Sequence, residues 1–185
     1  MEGHRGRNSS GGYFWVREKS TDAGFRVAGF MVMRKLIRLG VVGILGASAM
    51  LMAQEQSSVV RAERQLFLSV NRARTAQGLP DLKWNDGLAL AARRHAAVMA
   101  QHGTAGHGFA GEPALAARVS QAGVRFVWLS ENVCQGSGAD AIQAEFMGSA
   151  NHRANILDRD MDSVGIGVVE RGGQVFAVED FLKVK

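Results

Sequence analysis

An apolar run from Leu39 to Ala53 fixes how much of this 185-residue chain is left to fold into a domain. The run follows a basic segment, residues 33–38, and gives way at Gln54 to a polar sequence. This order of basic, apolar and small residues is typical of a secretory signal peptide. The run has fifteen residues, fewer than the roughly 20 that a membrane-spanning helix needs. We therefore predict a signal peptide over residues 33–53, and a mature chain over residues 54–185 with a single core.

The two boundaries of this leader leave alternatives. Cleavage after Ala53 is the first choice, the small residues at 47–49 offer a second cleavage site, and an uncleaved leader would act as a membrane anchor. Residues 1–32 are rich in Gly, Ser and Arg and have no sustained apolar period. That composition predicts disorder, or translation from a start upstream of the true initiator at Met31 or Met33.

The net charge of +5 is carried by the leader region and not by the domain. Residues 1–53 hold eight Lys and Arg against three Asp and Glu, whereas residues 54–185 hold fourteen of each. Nucleic-acid binding needs a cluster of basic residues on the folded domain. The charge pattern therefore argues against a nucleic-acid partner, and it leaves the membrane as a partner only through an uncleaved leader.

Apolar periodicity in the mature chain predicts alternating helices and strands, with a hairpin at the end. Helices are predicted over about 59–76, 87–102, 113–121 and 140–147, with a short helical turn opened by Ser149. Strands are predicted over 124–133, 164–169 and 174–178, the last two joined through Gly172 and Gly173. Asp86 is the expected N-cap of the second helix, and Asp140 with Gln143 the expected capping box of the fourth.

Several motifs occur in this order along the chain: Asn71-Arg72-Ala73-Arg74, Leu82-Lys83-Trp84, His107, Arg118 to Gly123, Glu131-Asn132-Val133, and Ser149-Ala150-Asn151-His152-Arg153-Ala154-Asn155-Ile156-Leu157. Together they resemble the bacterial branch of the CAP superfamily, also called the SCP domain, named for cysteine-rich secretory proteins, antigen 5 and pathogenesis-related proteins. The resemblance covers about residues 60–182. Two positions depart from the family pattern, Phe146 in place of a usual Trp and Ala150-Asn151 in place of a Pro-Gly-like pair.

The resemblance implies an α/β fold, an α-β-α sandwich with a central antiparallel sheet between helical layers. It also implies an open cavity that two histidines and usually two acids line. Residue by residue, the histidines correspond to His107 and His152, and one acid corresponds to Glu131. The second acid has no secure match, and Glu145 is a candidate.

Two imidazoles and a carboxylate form the ligand set of many open zinc sites. His107 and His152 are therefore the candidate metal ligands, with zinc as the candidate cofactor. The alternative is a polar clamp, in which Glu131 accepts hydrogen bonds from a histidine and from backbone groups and ties the sheet to the helices.

Nucleophilic catalysis has weaker support in the sequence. Ser149 precedes His152 by three residues, which suits a helix cap, and no Gly-x-Ser-x-Gly elbow occurs. Cys134 is the single cysteine, and burial in an apolar strand would make its thiol inert. His95 lies on the inward side of an Ala-rich helix, where a packed histidine is expected rather than a ligand.

Two classes of function remain open. The first, which we prefer, is an exported, non-catalytic binding module, periplasmic or extracellular, whose cavity holds a small ligand, a lipid or an envelope component, with or without a metal. The second is a metal-dependent hydrolase, most simply a peptidase, that uses the same cavity. The sequence contains no complete activation relay for a nucleophile, and for that reason the binding module is preferred over an enzyme.

Overall fold

The computed structural model describes residues 44–184, except for the side chains of residues 44–53 and 55. The expectations for residues 1–32 and for the first part of the leader, 33–43, lie outside this range. The helices are α1 (Ile44–Thr75), α2 (Asp86–His102), α3 (Leu115–Gln121), α4 (Ala139–Gly148) and α5 (Ala150–Ile156). The strands are β1 (Lys83–Trp84), β2 (Trp128–Gly136), β3 (Ser163–Arg171) and β4 (Gln174–Lys183).

The strands form one sheet in the order β1-β3-β4-β2. The three long strands are antiparallel, as predicted, whereas the two-residue β1 pairs in parallel with the start of β3. The predicted hairpin is confirmed: β3 and β4 are joined by Gly172 and Gly173, whose φ angles of 60° and 75° suit the tight turns of two-residue hairpins.

Helices cover both faces of the sheet, which confirms the α-β-α sandwich. Side chains on β4 alternate between the two faces. Val175, Ala177 and Phe181 belong to the core beneath α1, α4 and α5, whereas Phe176 and Val178 belong to the core beneath α2. A third apolar cluster, between α2, α3 and β2, includes Leu88, Val119 and Leu129.

The backbone of α2 lies directly on two glycines of β3. A Cβ atom added to Gly165 would lie 2.2 Å from the backbone nitrogen of Ala89, and one added to Gly167 would lie 2.1 Å from that of Arg93. No side-chain carbon fits at such distances, so glycine at both positions permits this close approach. The alanines of α2, among them the fully buried Ala92, keep the helix surface thin where it meets the sheet.

Helix α1 begins at Ile44, well before the predicted residue 59. Residues 44–58 are mostly strong helix formers and contain no proline, which favours continuation of the helix. No helix in the described part of the chain combines the length and the hydropathy that a bilayer crossing requires.

Near the other end of α1, the fully buried Arg74 donates to the carbonyls of Ile156 and Asp158, and so satisfies the end of α5.

Glu63 of α1 closes a free edge of the sheet. The short β1 pairs only with residues 163 and 164 of β3, so the N–H of Val168 has no strand partner on that side. The Glu63 carboxylate accepts that N–H at 3.3 Å and two hydrogen bonds from Arg93 of α2, at 2.7 and 2.6 Å. One buried side chain thereby links the two helical layers around the edge of the sheet.

Other predicted element starts are also wrong; α3, for example, begins at Leu115 rather than at residue 113. The N-cap of α2 is Asn85, whose side chain accepts from the Leu88 N–H, because it is Asn85 and not Asp86 that has extended backbone angles. Helix α4 follows Gly138 and has no side-chain cap, so the capping box of Asp140 is absent. Strand β2 begins at residue 128 rather than 124, because Val124 packs with the cluster beneath α3.

Candidate functional site

Glu131 lies at the centre of a buried polar cluster on the α2 side of β2. Its carboxylate is fully buried and accepts from both His107 and Arg118. Nδ1 of His107 lies 2.9 Å from Oε1, and the Arg118 guanidinium of α3 contacts Oε2. Both oxygens are therefore occupied by side chains of this chain, as a polar clamp requires.

The charges around Glu131 decide which buried carboxyl is ionised. Burial alone would raise its pKa, but the hydrogen bond from His107 and the charge of Arg118 hold the pKa of Glu131 below its ordinary value. Asp180 lies directly opposite Glu131 on β4 and is equally buried. Burial and the neighbouring Glu131 charge raise the pKa of Asp180 well above its ordinary value. The opposite directions of these two pKa shifts place the negative charge of the pair on Glu131 rather than on Asp180.

His107 is presented by the glycine-rich loop 103–112, and His95 of α2 holds that loop. Nε2 of His95 lies 2.8 Å from the Gly106 carbonyl, and Nδ1 lies 2.7 Å from Oε1 of Glu112. His95 is fully buried, so its prediction as a packed, satisfied histidine agrees with these contacts. Its nearness to Glu131 Oε2, at 3.8 Å, also joins it to the cluster.

His152 approaches from α5, on the other side of β2. Its carbonyl accepts from the Asn132 side chain at 3.2 Å, and its ring meets Phe146 edge-on with ring centroids 5.1 Å apart. Burial, with a further contribution from the nearby His107, lowers the pKa of His152 to about 4. The ring is therefore neutral at pH 7, the state in which imidazole binds metals.

A second buried acid belongs to the His152 side of the sheet. Glu179 lies opposite Asn132 and accepts from its amide at 3.1 Å, and Asn155 donates to Asn132 Oδ1 at 2.9 Å. Burial raises the pKa of Glu179 to about 8, although the hydrogen bond from Asn132 opposes that rise. Glu179 is thus mostly protonated at neutral pH, and this side of β2 carries no net charge from it.

The structure brings His107 and Glu131 into direct contact and places His152 within electrostatic reach of His107. Glu145 does not join them: it is exposed on α4, where its charge acts on Cys134 instead. Glu112, like Asp180, is an acid near the cluster: it contacts His95 and lies 4.0 Å from Arg118.

Sequence reasoning assigned no role to Glu112, Arg118 or Asp180. An acid five residues after His107 in the same loop was a usable signal for Glu112, and an Arg on the inward side of a short helix was one for Arg118. Asp180 gave no signal, because adjacent acids at a strand end usually mark exposure.

The donor atoms fit a metal only in part. Nε2 of His107 is buried and has no hydrogen-bond partner among the described residues, and His152 is neutral. Glu131, in contrast, has both oxygens engaged. No group of three or more His, Cys, Asp or Glu side chains within residues 44–184 is arranged to hold a metal. Glu131 therefore acts as the support of His107 and not as a ligand, and Nε2 of His107 is the donor atom that remains available to a metal.

Two surface grooves occur elsewhere in the described part of the chain. One, of about 820 Å³, lies between α1, the start of α4 and the β3–β4 turn; the other, of about 360 Å³, lies between that turn and the end of α2. Neither is lined by His107, Glu131 or His152.

The two candidate nucleophiles have structural roles. Ser149 caps α5 by accepting from the His152 N–H at 3.5 Å, as predicted. Cys134 is buried, and burial raises the pKa of its thiol to about 12, so it is not a thiolate at neutral pH.

Residues 68–181 match the sequence model of the CAP family, described as the cysteine-rich secretory protein family. No curated protein matches the sequence.

Three solved structures are similar to this fold. An extracellular SCP-domain protein from Bacillus anthracis has 23% identity and a TM-score of 0.66, over 71% of this chain and 43% of its own. An outer surface protein from Borrelia burgdorferi has 19% identity and a TM-score of 0.63, over 68% and 94%. A cysteine-rich secretory protein from Staphylococcus aureus has 24% identity and a TM-score of 0.56, over 68% and 39%. The chain thus spans less than half the length of the first and third proteins.

Proposed function

Because this chain belongs to the CAP, or cysteine-rich secretory protein, family, we propose that it is an exported, non-catalytic binding module. Its ligand, a small molecule, a lipid or an envelope component, binds at the His107 and His152 site, and a divalent metal such as zinc assists. The observation that carries this proposal is the buried Nε2 of His107, which has no hydrogen-bond partner among the described residues. A buried polar atom without a partner costs free energy, and a metal or ligand that supplies one recovers it.

The surroundings support a binding role for the two histidines. Glu131 fixes the other nitrogen of His107, which is the usual arrangement behind a metal-binding imidazole. The low pKa of His152 keeps that ring unprotonated down to about pH 4. Its nitrogen is therefore able to bind a metal at neutral pH.

A hydrolase that uses the same residues is the second candidate. The neutral His152 could serve as a general base if a metal-bound water lay beside it. Ser149 and Cys134 do not supply a nucleophile, since one caps α5 and the other carries a thiol with a raised pKa. The binding module needs no such group and is the simpler reading of the site.

Export rests on the leader and on the nature of the similar proteins. Two of the three similar structures come from proteins described as extracellular or as outer surface proteins. We expect the protein, expressed in an export-competent bacterium, to leave the cytoplasm and to begin at Gln54, because the sequence changes there from apolar to polar. Intact-mass measurement checks this, and soluble cytoplasmic protein that retains residues 33–53 would contradict it.

Zinc binding tests the site. We expect zinc to raise the melting temperature of the wild type, since a ligand that binds only the folded state stabilises it. His107→Ala and His152→Ala should each abolish that shift, because each removes one of two protein donors. The control is His102→Phe, which removes an exposed imidazole at the end of α2 but keeps an aromatic ring to stack on Phe109, and it should keep the wild-type shift.

Calorimetric titration with zinc, and melting curves with zinc and with chelator, separate the outcomes. A zinc shift that persists in both variants would place the metal elsewhere. If the two variants melt at a lower temperature than the wild type and zinc shifts none of the three proteins, the histidines form only a polar clamp. Turnover of a peptide library that requires zinc and His152 would favour the hydrolase.

A further inference from the structure

His95 makes its two polar contacts on both sides of His107. Nε2 lies 2.8 Å from the carbonyl of Gly106, the residue immediately before His107. Nδ1 lies 2.7 Å from the carboxylate of Glu112, five residues after it. The His95 side chain is 0% exposed, and it projects from α2, which is packed against the sheet. Both ends of the segment that carries His107 are therefore tied to one rigid point.

The loop has few other means of holding its shape. Four of the residues between 103 and 112 are glycines, which offer no side chain to pack and lose the most backbone entropy on ordering. Besides His95, the loop is contacted by Arg118, which donates to the His107 carbonyl at 3.3 Å, and by Glu131 at the His107 ring. Gln135 accepts the Ala105 N–H at 2.8 Å, and His102 stacks on Phe109. Gln135 and His102 are partly exposed or exposed, whereas the His95 side chain is 0% exposed.

His95 also approaches the carboxylate that holds His107. Its Nε2 lies 3.8 Å from Oε2 of Glu131, while Oε1 of Glu131 contacts His107 Nδ1. A single buried ring thus adjoins both the backbone and the side-chain partner of His107. Displacement of His95 would free the loop and disturb the environment of Glu131 together.

We propose that His95 is a positioning residue of the binding site: it fixes loop 103–112 and through it the direction in which His107 presents Nε2. This inference rests on the proposed function for its consequence in ligand binding, but its structural part stands on the loop alone. His95 itself contacts no ligand.

Three variants test the proposal. His95→Leu removes both tethers at similar volume. His95→Gln places an amide N–H near the position of Nε2 and so retains the bond to Gly106. Glu112→Ala removes only the far tether and serves if His95→Leu does not fold. We expect amide hydrogen exchange across 103–112 to accelerate about tenfold or more in His95→Leu, since a buried bond to a charged partner is lost. In Glu112→Ala the acceleration should concentrate at 109–112.

Zinc affinity is the second measurement, because a purely structural role for His95 would not make affinity recover in His95→Gln. It should fall about tenfold or more in His95→Leu and recover at least partly in His95→Gln, because the Gly106 tether precedes His107 directly. The matched control is Ile142→Ala, which opens a cavity under α4 in the opposite helical layer. It lowers global stability but should leave the exchange rates at 103–112 close to those of the wild type.

The results divide clearly. Exchange in the loop that accelerates as much in Ile142→Ala as in His95→Leu would overturn the proposal, as would zinc affinity that is equal in His95→Leu and wild type. If the wild type binds no zinc, the metal-dependent form of the proposed function fails, and the exchange measurement alone decides the role of His95.

Discussion

Replacement of Gly167 by alanine is expected to destabilise the domain by at least about 3 kcal/mol, or to prevent folding. The added Cβ would lie 2.1 Å from the backbone nitrogen of Arg93 and 2.3 Å from the carbonyl carbon of Ala92. These are backbone atoms of a helix, so no rotamer change relieves the overlap. Helix α2 would have to lift from the sheet, which would open the core beneath it.

Urea denaturation of both proteins measures this effect. The control is Gly148→Ala at the end of α4, where an added Cβ meets no atom within 4 Å. That variant should be neutral or slightly stabilising, because alanine has the higher helix propensity. A Gly167→Ala protein with the wild-type unfolding midpoint would contradict the close packing of α2 on β3.

The second large effect is expected at Glu131. Glu131→Ala should lower the free energy of unfolding by about 3 to 5 kcal/mol, because it leaves Arg118 buried without its carboxylate. The side chain of Arg118 is only 5% exposed and that of Glu131 is 0% exposed, so water cannot replace the lost partner. His107 loses the acceptor of its Nδ1 in the same variant.

A double-mutant cycle with Arg118→Met isolates the pair. The double variant should be less destabilised than the sum of the two single changes, since it contains no uncompensated charge. Asp160→Ala is the matched control: Asp160 pairs with Lys183 at 3.8 Å, but both side chains are substantially exposed. Its loss should cost less than about 1 kcal/mol. Strict additivity at Glu131 and Arg118 would contradict direct coupling between them.

The order of helices and strands could be predicted because the spacing of apolar residues in each segment shows which face is buried, and that spacing differs between helices and strands. The hairpin, the Ser149 cap and the extents of α2 and β3 follow from neighbouring residues alone. Helix starts were predicted less well, because the capping residue is chosen by backbone angles that the sequence does not display. At Asn85 and Asp86 two good capping residues stand side by side, and only the fold selects Asn85.

The site was predictable through motif resemblance and not through its chemistry. The resemblance singled out His107 and Glu131, which lie in contact, yet the strand register that sets Asp180 opposite Glu131 is a long-range property. The predicted last strand ended at residue 178, whereas β4 continues to Lys183 and buries two acids on the way. Such acids become acceptable in a strand only when burial keeps them protonated or a partner supplies charge.

The hydrogen bonds of Glu63 at the edge of the sheet affect whether other copies of this chain can pair with that edge. Beyond Val164, β3 has no neighbouring strand on this side, and without Glu63 it would expose a row of unpaired N–H and carbonyl groups. Another chain can add to such a row as a further strand, which is a route to aggregation. The Glu63 carboxylate occupies the Val168 N–H of this row, and helix α1, which carries Glu63, covers the edge at that point. The Glu63 carboxylate thus lowers the tendency of this edge to pair with another chain, for as long as α1 remains in place.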